Sequence, residues 1–379
     1  MTTFAVEAAD GRARAGSLGT AHGAVPTPAF MPVATYGAVR GVAPDELAAA
    51  GAQILLANTY HLHERPGEDV VAGLGGLHGF TGWRGPWLTD SGGFQVTSLS
   101  DKVRVDEEGV TFASPVDGRR RMLSPERVVA VQETLGSDIA MVLDECVRPD
   151  PAGDLLRVRA ATERTLRWAE RSQRAHRRAD QWLFGIVQGG ASVPLRRSSA
   201  RGTRDLGFRG FAHGGLGLGE AAAQRDELIA ISHAELPSEA PRYLMGLGRP
   251  IDLVRGIALG VDLFDCVLPT RHARHGVLFT SRGLVRLKNA EHASAGDPPD
   301  PDCDCSTCAR HSRAYLRHLL RAREVLGARL ASIPNLRFYL RLLERARDAI
   351  RAGRFAAFSA EVELSCRADQ PEGRDPPAN

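Results

Sequence analysis

Seven short apolar runs along the chain each end in a polar or glycine-rich cluster. Gln53 to Ala57 stops at Asn58-Thr59-Tyr60-His61, and Trp87-Leu88-Thr89 stops at Asp90-Ser91-Gly92-Gly93-Phe94-Gln95. Ile139 to Leu143 ends in Asp144-Glu145-Cys146, and Trp182 to Val187 ends in Gln188-Gly189-Gly190. Phe211-Ala212-His213 runs into Gly214-Gly215-Leu216-Gly217-Leu218-Gly219-Glu220, Tyr243-Leu244-Met245 into Gly246-Leu247-Gly248, and Val261 to Phe264 into Asp265. Val277-Leu278-Phe279 is read as the eighth strand. Between the runs, Glu126 to Glu133 and Leu155 to Arg178 have helical spacing. Short buried strands alternating with helices predict a parallel α/β architecture. Polar residues at the end of strand after strand favour a (β/α)8 TIM barrel whose active site gathers at the C-terminal mouth. An open doubly wound sheet would place a phosphate loop after its first strand, and Asn58-Thr59-Tyr60-His61 is not one.

The 379 residues suffice for a barrel of ~250 residues with additions. A hydrophobic content of 43% with 25% charged residues is ordinary for a globular cytosolic protein. Met1 to Gly16 contains no apolar signal-like core and no stretch reaches membrane-spanning length, so a cytoplasmic setting and no membrane partner are expected. In that compartment six cysteines point to metal or chemistry before disulfides. The net charge of +3 is too mild to mark a nucleic-acid binder, but its distribution says more. Arg310 to Arg354 holds twelve arginines against Glu324, Glu344 and Asp348, which fits either a solvated basic face or contact with a phosphate backbone.

The candidate chemistry sits at the strand ends. Asp265 leaves an apolar strand and enters Cys266-Val267-Leu268-Pro269-Thr270-Arg271, with Arg274 just beyond. A carboxylate there must be stabilised by hydrogen bonds or cations, or its pKa rises, and such groups serve as nucleophiles or acid/base catalysts. Capping of the following turn is the plainer role for an isolated Asp. Asp90 to Gln95 combines a carboxylate, a hydroxyl, two glycines, a ring and an amide, a set able to line a flat base, although a tight glycine turn uses the same residues. Asp144 adds a carboxylate able to accept from a guanine-like N1–H and amine, and Gln188 adds an amide.

Asp90-Ser91-Gly92-Gly93-Phe94-Gln95, Val187-Gln188-Gly189-Gly190, Gly214-Gly215-Leu216, Tyr243-Leu244-Met245-Gly246 and Phe264 to Arg271 together resemble the bacterial tRNA-guanine transglycosylases, in matching order from about Phe4 through Phe358. The resemblance implies a barrel over 1–290 and a Cys-rich, Arg-rich helical subdomain carrying zinc over 291–360; the polar stretch 367–379 cannot bury enough surface to order itself and is expected to be a mobile tail. It also implies exchange of the wobble guanine in tRNAs with a GUN anticodon for a 7-deazaguanine, preQ1, in queuosine biosynthesis. Asp265 would be the nucleophile and Asp90 the general acid/base of a retaining double displacement with ping-pong kinetics. Ser91, Gly92, Gly93, Phe94, Asp144, Gln188, Gly215 and Met245 would form the base pocket, with Cys146 beside it. Gly246, Leu247, Gly248, Arg249, Pro250, Ile251 and Asp252, with Thr270, Arg271, His272, Ala273 and Arg274, match the family's RNA-contact regions. A homodimer is implied as well.

Cys303, Cys305 and Cys308 form C-x-C-x-x-C, which suits a thiolate zinc site. The family takes its fourth ligand from a downstream histidine, and here Pro334 occupies that place; His311 or His318 could supply the missing ligand, and His311 is expected to do so. Rival readings are a related enzyme acting on DNA, a queuine-salvaging tRNA enzyme, and a non-catalytic accessory subunit. The presence of both Asp90 and Asp265 argues against the last. The archaeal branch carries a further C-terminal RNA-binding domain for which the chain is expected to be too short. A metal-dependent sugar-phosphate enzyme would need a His/carboxylate cluster at the strand ends, and none is seen.

Overall fold

The computed structural model describes residues 2–99, 103–147 and 154–368. Eight parallel strands form one sheet: β1 (Ala29–Pro32), β2 (Leu55–Asn58), β3 (Trp87–Asp90), β4 (Ile139–Met141), β5 (Trp182–Val187), β6 (Gly210–His213), β7 (Arg242–Leu244) and β8 (Leu263–Cys266). Hydrogen-bonded neighbours run β1-β8-β7-β6-β5-β4-β3-β2. A parallel bridge between Val33 and Leu56, with the Ala34 N–H donating to the Leu56 carbonyl at 2.6 Å, draws the two ends together. The result is a nearly closed (β/α)8 barrel. Its strands are apolar on both faces because one face fills the barrel and the other meets helices.

The eighth strand was misplaced by the sequence pattern. Val277–Thr280 pairs antiparallel with Gly283–Arg286 in a hairpin outside the barrel. The eighth barrel strand is instead β1, the four residues Ala-Phe-Met-Pro, preceded by a cis peptide between Thr27 and Pro28. So short a run between prolines gives little periodicity to read. Ahead of it, Phe4–Asp10, Ala13–Thr20 and Gly23–Thr27 form an antiparallel sheet of three strands. A second such sheet, Arg104–Val105, Val110–Ala113 and Arg120–Leu123, is inserted between β3 and β4.

The helices follow the expected spacing. Pro125–Leu135 is capped by Ser124, whose hydroxyl accepts from the Arg127 N–H, and Leu155–Ala175 is capped in the same way by Asp154. After the barrel come the helices Ser306–Arg310, Arg313–Arg321, Val325–Arg351 and Phe355–Ala368. The last one takes in the first two residues of the stretch expected to be a tail, and 369–379 lie outside the described residues. Among the described residues no helix is long and apolar enough to cross a membrane.

One buried ion pair ties the N-terminal sheet to the foot of β8. Asp262 is fully buried and accepts from Arg14 Nε at 2.9 Å and Nη2 at 2.5 Å, and from the Arg242 N–H at 2.7 Å. Burial pushes its pKa up while Arg14 and these hydrogen bonds pull it down. Asp262→Ala strands the Arg14 charge and is expected to cost about 3–5 kcal/mol in denaturant unfolding; a loss below about 1 kcal/mol would show the pair to be dispensable.

Candidate active site

The register of the barrel sets the catalytic candidates at one end. Asn58 and Asp90 lie directly opposite each other as the last residues of β2 and β3. The Asp90 carboxylate accepts from Asn58 Nδ2 at 2.6 Å, from the Thr59 N–H at 3.1 Å and from Gln95 Nε2 at 3.1 Å. Desolvation pushes its pKa up to about 7, opposed by the Thr59 N–H and reinforced by the negative charge of Asp265. Asp90 therefore stands near half-protonation at neutral pH, where a general acid/base works best.

Asp265, in β8, is held through one oxygen only. Its Oδ1 accepts from the Tyr243 hydroxyl at 2.6 Å and from the Gly246 N–H at 2.7 Å. Among the described residues its Oδ2 has no hydrogen-bond partner. Desolvation raises its pKa, and these two donors oppose the rise. Asp265 does not cap the helix Leu268–His275 with its side chain, so the capping role considered for it falls away, whereas Asp90 accepts from the first N–H of the helix Thr59–Glu64.

The base-pocket candidates converge beside this pair. Asp144, just past β4, accepts from Gln188 Nε2 at 2.6 Å and from Ser91 Oγ at 3.4 Å. Desolvation lifts its pKa to about 6, with the Gln188 and Ser91 hydrogen bonds opposing. Gly215 adopts φ +65°, and a Cβ there would lie 2.6 Å from Gln188 Oε1 and 3.6 Å from Cys146 Sγ. A Cβ on Gly92, at φ +78°, would meet Tyr60 Cβ at 2.7 Å. Gly93 packs on the Asp144 carbonyl in the same manner, so these glycines let the Ser91 turn and the Asp144 strand end approach closely. Phe94 is 38% exposed at the mouth, and Met245 is half-buried against the barrel core.

This geometry fits what comparison with known proteins returns. The family model for queuine tRNA-ribosyltransferase matches residues 10–367. A Solidesulfovibrio magneticus protein called queuine tRNA-ribosyltransferase is 53% identical over 367 residues, covering 95% of this chain and 97% of its own length. Proteins of that name from Thermus thermophilus and Shewanella baltica are 54% identical over 359 residues and 49% identical over 371. They cover 94% and 97% of this chain, and 92% and 99% of their own lengths, respectively. The chain belongs to the queuine tRNA-ribosyltransferase family. It is a tRNA-guanine transglycosylase, a pentosyltransferase.

In this member of the family the two segments matched to RNA contact flank Asp265, but only part of each is available to a ligand. Within 246–252, Leu247, Gly248, Pro250 and Asp252 are buried, Ile251 is half-buried, and Gly246 and Arg249 are exposed. Asp252 is taken up by Arg225, at 2.6 Å, and by Arg249, at 2.9 Å. In the helix Leu268–His275, Thr270 and Ala273 face inward while Arg271, His272 and Arg274 are half-buried. Arg274 feels Arg40 and Arg271 as like charges, and with burial they lower its pKa. The sequence reading passed over Asn58, Thr59, Tyr243 and Arg40. The first two and Tyr243 stood at strand ends, and Arg40 carried no local signal.

The arginine-rich 310–354 stretch largely serves the fold. Arg329 pairs with Glu46, Arg337 with Asp304 and Glu344, Arg345 with Glu361 and Arg351 with Glu7. Buried Arg347 donates to the Pro28 carbonyl at 2.7 Å. Arg310, Arg321, Arg323 and Arg354 are exposed, and their side chains have no hydrogen bond or ion pair among the described residues.

The sulfurs of Cys303, Cys305 and Cys308 lie within 4.8 Å of one another, a spacing and donor set that fit a thiophilic metal. Among the described residues no His, Asp or Glu joins them. Pro334 sits inside the helix Val325–Arg351 and has no donor to offer. His311, expected as the fourth ligand, is not brought to the sulfurs. It ends the helix Ser306–Arg310 in extended backbone, and its ring lies 5.3 Å from that of Tyr315.

The raised pKa of Asp90 carries a stability signature. Its folded value of about 7 exceeds the ordinary 3.8, so between these values the folded state keeps a proton that the unfolded state has released. Stability falls as pH rises through that window, and the loss is complete above about 7. Asp90→Asn should therefore gain in melting temperature over the parent at pH ~8 relative to pH ~4. Thermal melts in a pH series read this out, and an equal difference at both ends would contradict the assignment.

Proposed function

We propose that this transglycosylase replaces the wobble guanine of GUN-anticodon tRNAs with preQ1 through a covalent Asp265–ribosyl intermediate. The observation that carries the reading is the lone Oδ2 of Asp265, beside a carboxylate poised to exchange protons. Asp265 Oδ2 bonds to ribose C1′ as the C1′–N9 bond breaks, and the electron pair passes into the purine. The departing guanine takes the proton of Asp90. The incoming base then gives its N9 proton to Asp90 and attacks C1′, breaking the ester bond and restoring the Asp265 carboxylate. Protons and charges balance over the cycle, and two inversions retain the configuration.

In the base slot, ionised Asp144 would accept from the N1–H and exocyclic amine, while Gln188 and the Gly215 backbone would supply the O6 side. Ser91, Gly92 and Gly93 would shape the slot, with Phe94 and Met245 against the ring faces. Arg271 and Arg274 would hold phosphates around the flipped nucleotide, with Arg249 at the rim. Cys303, Cys305 and Cys308 would hold Zn2+, which would cross-link their loop. A homodimer and a cytoplasmic setting rest on family resemblance, as does the division into a 1–290 barrel and a 291–360 subdomain.

Asp265→Ala should abolish exchange of labelled guanine into tRNA and the tRNA adduct trapped on denaturing gels with a deazaguanine inhibitor. Turnover persisting in a folded variant would discard the nucleophile. Parallel assays on DNA should show no incorporation. For Arg271→Ala, tRNA affinity should weaken and the slope of log affinity against log salt should shrink by about 1; an unchanged slope removes the phosphate contact.

A further inference from the structure

Among the described residues Arg196 is the one fully buried arginine at the mouth, and the steps described so far do not use it. It lies in the helix Val193–Asp205 that follows β5. Among the described residues no carboxylate pairs with it. Its guanidinium instead donates to three backbone carbonyls: Nε to Gly190 at 2.9 Å, Nη1 to Val187 at 3.0 Å and Nη2 to Gly215 at 3.2 Å. Burying a guanidinium with no ion-pair partner in contact is costly, and desolvation pushes its pKa down to about 10, opposed by the charges of Cys146 and Glu220. A neutral amide side chain could bridge two loops without that cost, so the retained charge calls for a role beyond packing.

The three carbonyls show where that role lies. Val187 and Gly190 bracket Gln188 on the loop after β5, whereas Gly215 belongs to the loop after β6. One planar fork thus fixes the spacing between two loops that each contribute to the base slot. In a trans peptide the N–H points opposite the carbonyl. With the Gly215 carbonyl drawn to Arg196, the Leu216 N–H is presented on the far side of that peptide. Two residues further on, the Glu220 carboxylate accepts from the Gly217 and Leu218 N–H groups. The 214–220 loop is therefore gripped from behind at a carbonyl by a cation and at its amides by an anion.

We propose that Arg196 is a positioning residue for base recognition, setting the Gln188 side chain and the Gly215–Leu216 peptide at the separation that the O6 edge of a purine-like base requires. This rests on the base-exchange reading above. Lysine at 196 keeps a buried charge, but its single ammonium cannot span carbonyls on both loops. Methionine keeps much of the volume and removes both the charge and the donors.

The test compares Arg196→Lys and Arg196→Met with the parent enzyme. It measures KM for the free base in labelled-guanine exchange, calorimetric affinity for a 7-deazaguanine, tRNA affinity by filter binding, and melting temperature. The expected result is a rise of about tenfold or more in base KM and in the calorimetric constant, with tRNA affinity within about twofold. Methylguanidinium at millimolar level should lower base KM in an Arg196→Ala variant. Unchanged base affinity despite a lower melting temperature would make Arg196 structural only and overturn the proposal. Equal weakening of base and tRNA would overturn it too, as general disorder of the mouth. Should Arg196→Met fail to fold, Arg196→Lys decides. If the parent enzyme itself shows no guanine exchange, the reading of the function fails, and the calorimetric comparison still judges the role of Arg196.

Discussion

Asp90, Asp144 and Asp265 share a desolvated mouth with no cation in ion-pair contact among the described residues. Their partners are neutral: amides from Asn58, Gln95 and Gln188, hydroxyls from Ser91 and Tyr243, and backbone N–H groups of Thr59 and Gly246. Neutral donors orient a carboxylate without quenching its charge, so its proton affinity stays high. At the opposite end of the same barrel, burial raises the pKa of Asp262 as well, and there an ion pair with Arg14 opposes the rise. The fold buries one residue type in two settings, one among neutral donors and one against a guanidinium.

Among the described residues Asp265 keeps one oxygen tied and one free, which would give the proposed nucleophile direction as well as charge. Asp90, its affinity for protons raised by burial and by Asp265, can surrender a proton and take one back within a single cycle. Asp144 lies further along the mouth, just past β4, in a separate hydrogen-bonded group with Gln188 and Ser91. In the proposed exchange the sugar chemistry and the base reading would thereby be spatially separated, so that different bases could pass through while the nucleophile remained fixed.

Much of this could be read from the residues alone. Polar clusters at the ends of seven apolar runs implied the barrel and pointed to Asp90, Asp144, Gln188, Gly215 and Asp265, which the fold brings to one end. What escaped had physical reasons. β1 is four residues between prolines, too short to show alternation, and the Val277–Thr280 run looked equally strand-like because a hairpin and a barrel strand share composition. The ion pairs of the arginine-rich stretch were not legible because partners such as Glu7 and Glu46 are distant in sequence. His311 was near the cysteines in number but not in space, since the helix end turns its ring toward Tyr315.

β1 pairs along its length with β8, and its other flank meets β2 through a single bridge. On a ribosome, the segment around Ala29 therefore emerges early and waits for the segment around Leu263 before its main ladder can form. At ordinary synthesis rates that interval is on the order of tens of seconds. Throughout it the nascent half-barrel exposes an unpaired apolar edge, the kind of surface that chaperones hold and that neighbouring chains can capture.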